Sequence, residues 1–159
     1  MSIAPPSLDD PFVLADGMST DYLNRFGEVL MLIEMASDDR SLLDDLKGWR
    51  AVSYEEHFRT SNLRCAAPAL AAYAALDTDS RGAFESLCGA LNRLTETVLL
   101  TIEEIPDPDT AKPVIDVAVQ AYRSLLSRAT GFIGSGGDRA MAAYDPVDLQ
   151  DTIDQMMAA

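Results

Sequence analysis

Apolar residues recur along this chain every three or four positions, a spacing that stacks side chains on one face of an α-helix and does not fit the alternation of a strand. Ser19 or Thr20 is placed to cap the first run. Tyr22, Phe26, Val29, Leu30 and Ile33 form its stripe, and Leu23, Met31, Leu32 and Met35 widen it into a half-buried or nearly all-buried cylinder. Asp38 or Asp39 then opens a short helix with Leu42, Leu43 and Leu46 inward, Gly48 weakening its end and Trp49 at the core rim. Ser53 followed by Glu56 is a capping box, in which each side chain satisfies an amide that the first turn leaves unpaired. The stripe behind it runs Tyr54, Phe58, Ser61, Cys65, Ala69, Leu70, Tyr73 and Leu76. Pro68 lies inside this run, lacks the amide that would bond Arg64 and crowds that carbonyl, so the pattern predicts a kink or a division into two helices.

The longest periodic run is Phe84, Leu87, Cys88, Leu91, Leu94, Val98, Ile102 and Ile105, predicted to be one continuous helix capped by Thr78 or Asp79. Prolines at 106 and 108 stiffen the turn that follows. Thr110 is the expected cap of a fifth helix that carries Pro113 in its first turn and Ile115, Val119, Tyr122, Leu126, Ala129 and Ile133 on its face. Gly131, Gly134, Gly136 and Gly137 end it, and Asp145 with Pro146 starts a last helix lined by Leu149, Ile153 and Met156. Short connections between helices of similar length favour antiparallel neighbours. The expected fold is all-α, a four- or five-helix bundle with additional short helices. It divides into an N-terminal arm at 1–18, where Phe12, Val13 and Leu14 are available to dock, a bundle domain at 19–133, and a Gly-rich loop with a C-terminal docking helix at 134–159. Some helix faces are too apolar for solvent, which predicts either cover by the short helices or a homodimer.

Charge narrows the range of partners. The 26 acidic residues outnumber the 12 Lys and Arg, for a formal net charge of −14, and the excess runs through all three thirds of the chain. Phosphate backbones and anionic lipid surfaces are repelled, so neither a nucleic-acid groove nor membrane binding is expected. No apolar run reaches the length of a membrane span, and Met1 to Phe12 has neither the basic residues nor the apolar run of a secretion signal. Cys65 and Cys88 then read as buried thiols of a cytoplasmic protein.

Chemistry-bearing residues are sparse. One histidine and two separated cysteines do not assemble a zinc or iron–sulfur site, and the acidic pairs Asp38–Asp39, Asp44–Asp45 and Glu103–Glu104 lack calcium-loop spacing, so no metal site and no cofactor are expected. Gly134 to Gly137 resembles a phosphate loop in composition alone, without the lysine or the delivering strand. His57 falls at the border of its helix's apolar stripe, with Arg64 two turns on in about the same direction and Ser61 supplying a hydroxyl. A histidine so placed on a small acidic helical bundle resembles the histidine-containing phosphotransfer domains of two-component signalling, whose motif continues with lysine and glycine where this chain has Thr60 and Ser61. That resemblance implies His57 as phosphoryl acceptor, assisted by Arg64 and Ser61. Without it, His57 is expected to be structural, packing beside Tyr54 or bonding across the bundle. The leading expectation is a non-catalytic regulatory or adaptor protein that meets another protein through an acidic surface. A small-molecule or cofactor pocket between helices, suggested by Tyr54, Tyr73, Tyr122 and several methionines, is the further alternative.

Overall fold

The computed structural model describes residues 17–36 and 38–158; most of the expected N-terminal arm, with Phe12, Val13 and Leu14, lies outside the described residues, as does the Leu43 side chain. A 3-10 turn, Thr20–Leu23, leads into α1 (Asn24–Met35), and a second 3-10 helix spans Arg40–Leu46. There follow α2 (Tyr54–Arg59), α3 (Ala66–Ala75), α4 (Thr78–Glu104), α5 (Pro108–Gly134) and α6 (Pro146–Met157). Among the described residues every regular element is helical, so the fold is all-α, with longer helices making the core and short ones covering it.

α4 and α5 form the central hairpin. Both are 27 residues long, and the three residues between them leave α5 no course but back along α4. Along the shared face Phe84, Leu87, Leu91, Leu94, Val98 and Ile102 are buried from α4. Ile115, Tyr122, Ala129 and Ile133 are buried from α5, together with Val114, Ala118, Leu125 and Phe132. α1 packs on α5 through Phe26, Val29 and Ile33, while α6 lies against α4 and α5 through Leu149, Ile153 and Met156. Each fully buried aliphatic side chain of this set contributes about 1.5–3 kcal/mol relative to an exposed one.

Several expectations are corrected by local geometry. The cap of α4 is Asp77, whose carboxylate accepts from the Ser80 amide at 2.7 Å, and not Thr78 or Asp79. Asp107 caps α5 in place of Thr110, whose hydroxyl instead donates to Asp107 at 2.7 Å; Pro108, having no amide to lose, opens the helix. The run from Tyr54 to Leu76 is indeed two helices, but the break lies at Thr60–Cys65, upstream of Pro68, which sits in the first turn of α3 where its missing amide costs nothing. Of the two extents open for the α1 stripe the half-buried one holds, with Met31 and Met35 51% and 48% exposed. Gly131 and Gly134 lie within α5, and the chain turns at Gly136 and Gly137, both at positive φ. At Gly137 a Cβ would also stand 2.4 Å from Leu76 Cδ2, so glycine there lets the loop press on the α3–α4 junction.

Candidate functional site

His57 stands in the last turn of α2, a helix started by Ser53, whose hydroxyl accepts from the Glu56 amide at 3.0 Å. Its Nε2 meets Asp21 Oδ2 at 2.8 Å, and its ring packs edge-on against Tyr22 and Phe58 at centroid distances of 5.6 and 4.8 Å. The pair is only partly exposed and ties α2 to the 3-10 turn ahead of α1. Helical register ends at Arg59, so Arg64 is not stacked over His57 and is exposed on the connector. Ser61 lies in the same connector, where its hydroxyl accepts from the Leu63 amide at 3.0 Å. Of the three residues in the phosphotransfer reading, then, the structure places His57 against a carboxylate and puts the other two in a separate turn.

Beside this pair lies an aromatic layer. Tyr54 is stacked on Tyr73 with centroids 4.7 Å apart, Phe84 is stacked on Phe132 at 4.8 Å, and Tyr22 and Phe84 both meet Tyr54 edge-on. The phenol hydroxyls are committed within the protein: Tyr22 donates to Val52 O at 2.6 Å, Tyr54 to Ala69 O at 3.1 Å, and Tyr73 to Glu85 Oε1 at 2.8 Å. The Tyr22 and Tyr73 phenols are raised well above the usual value, by burial first and then by Cys88 and Glu85 respectively. Burial pushes the Cys88 thiol up to about 12, so it is protonated at neutral pH and is not a nucleophile. Cys65 is likewise buried, and its sulfur accepts the Ser19 hydroxyl at 3.6 Å.

Above the aromatic layer, the extended segment Ala51–Ser53 and one side of α4 enclose a cleft of about 320 Å³. Glu55, Glu85, Gly89 and Asn92 line it with Tyr22 and Phe84, among others. A second, more open groove of about 420 Å³ runs between α1 and α5, lined by Leu23, Gly27, Met31 and Leu126 with Glu28 among its polar residues. Of the sequence's pocket candidates, Tyr54 and Tyr73 line the cleft, whereas Tyr122 is buried in the core with its hydroxyl 3.0 Å from that of Thr95. Glu85, Gly89 and Asn92 were not recognised, although their spacing of four and then three residues puts them on one helix face. Among the described residues no group of three or more His, Cys, Asp or Glu side chains is placed to hold a metal ion, and no helix is long and apolar enough to cross a membrane. Comparison with protein-family models, with curated proteins and with solved structures gave no match.

Proposed function

We propose that this protein is a non-catalytic helical adaptor that binds another protein, with the groove between α1 and α5 as the docking surface. The observation that carries this reading is the groove itself, where half-exposed Met31 lines an apolar floor with Leu23, Gly27 and Leu126 beside the buried faces by which α1 and α5 pack together. A flexible thioether on an open apolar groove suits an amphipathic helix laid along it. The charge of the surroundings selects a basic partner. Six of the 12 Lys and Arg residues are already paired with carboxylates, namely Lys47, Arg50, Arg59, Lys112, Arg123 and Arg139. Glu28 is exposed at the groove, so attraction to a cationic helix rim adds to the apolar contact.

Gly27 provides the test, because a Cβ placed there meets nothing within 4 Å. Gly27→Leu fills the groove without disturbing the core, and Glu28→Lys reverses the charge beside it. Affinity capture with quantitative mass spectrometry is expected to return a partner bound by the wild type and lost by both variants, with thermal melting showing all three folded. Equal capture by the wild type and the variants overturns the reading. Sedimentation showing a dimer that Gly27→Leu dissociates assigns the groove to a second copy of this chain instead.

A further inference from the structure

The cleft over the aromatic layer differs from the α1–α5 groove in having a polar side of uniform character. Its floor is ring surface from Tyr22, Tyr54 and Phe84, whose hydroxyls, where present, are satisfied elsewhere. Of the groups left over, Asn92 Oδ1 is buried without a hydrogen-bond partner, and the carboxylates of Glu55 and Glu85 accept only. Glu55 already meets Arg59 at 3.0 Å, whereas Glu85 accepts the neutral Tyr73 hydroxyl and, among the described residues, no cation. Among the described residues no Lys or Arg lines the cleft. An acceptor buried without a donor is costly, and here it shares a helix face with the exposed carboxylate of Glu85. Gly89 stands between the two along α4, with open space where a side chain would project.

We propose that this cleft binds a small organic cation bearing N–H donors, its ammonium group at Glu85 and Asn92 and its apolar body against Tyr22, Tyr54 and Phe84. The cleft volume suits one ring with a short chain. Ring faces attract a cation as well as an apolar body, while the two carboxylates disfavour an anion of the same shape. Binding here is independent of protein docking at the α1–α5 groove.

Phenethylamine and phenylacetate are probes of matched shape and opposite charge. Titration of each into the full chain, followed by calorimetry and by the fluorescence of Trp49, the one tryptophan of the sequence, distinguishes them. Phenethylamine is expected to bind the wild type and phenylacetate not to bind. Glu85→Gln is expected to weaken phenethylamine about tenfold or more, the loss of a hydrogen bond to a charged group. Gly89→Leu, which fills the cleft and favours the helix, is expected to abolish binding with the far-ultraviolet dichroism unchanged. Absence of binding to the wild type at millimolar phenethylamine, equal affinity for phenylacetate, or unchanged binding by a folded Gly89→Leu variant each overturns the proposal.

Discussion

His57 is held at one ring nitrogen by Asp21 and on two sides by Tyr22 and Phe58, an arrangement that fixes a ring in place and joins two short helical elements. We therefore expect His57→Gln to lower stability by about 1 kcal/mol or somewhat more, read from urea denaturation, as the Asp21 carboxylate loses its partner at a partly buried site. We also expect no acid-labile phosphate on the wild type when it is incubated with phosphodonor kinases and receiver domains. Labelling that disappears in the folded His57→Gln variant would instead make the histidine a phosphoryl acceptor. The same cluster shows how far a single residue type is legible. The position of His57 on the stripe border followed from helical spacing, but its partner Asp21 lies 36 residues away on another element, and nothing local announces such a contact.

At the level of the helix, the aspartate caps are the most exposed determinants of the fold. Asp39, Asp77 and Asp107 each accept hydrogen bonds from the residues that follow, and those bonds hold all three carboxyls below the usual carboxylate value. A carboxyl that titrates lower in the folded chain than in the unfolded one stabilises the fold above about pH 4, and that contribution is lost as pH falls through the lower folded values. Thermal melts across this acid range are expected to show Asp77→Ala with a lower Tm at neutral pH and a shallower decline on acidification than the wild type; parallel curves would remove the cap from the account. The existence and extent of α4 were legible because its periodicity lasts through the whole element. Its cap was not, since Asp77, Thr78 and Asp79 all have suitable side chains and the extended backbone at Asp77 is what decides among them. The exposure of Met31 and Met35 was hidden for a different reason: periodicity marks an apolar face, and only the neighbouring elements determine how much of that face is covered. The cleft has the same origin, because the spacing of Glu85, Gly89 and Asn92 is local while the segment Ala51–Ser53 opposite them is placed by tertiary packing.

Over the whole molecule, α6 completes the core. Leu149, Ile153 and Met156 are buried against α4 and α5, so a chain ending at Tyr144 exposes the facing surface of the hairpin. Such a truncation is expected to cost several kcal/mol, at about 1.5–3 kcal/mol for each buried side chain, and to appear as a large fall in Tm with increased dye binding to exposed apolar surface. An unchanged Tm would mean that α6 is an appendage. The pairing of α1 with α5 has a consequence of another kind, which concerns time. α1 leaves the ribosome before α5, and about 70 residues separate its last turn from the start of the helix that covers it, a delay of roughly 4–15 s at ordinary rates of translation. Throughout that interval Phe26, Val29 and Ile33 have no α5 to pack against, so the nascent chain presents a sticky helix to its surroundings, and the risk of misassembly is greatest before the protein is complete.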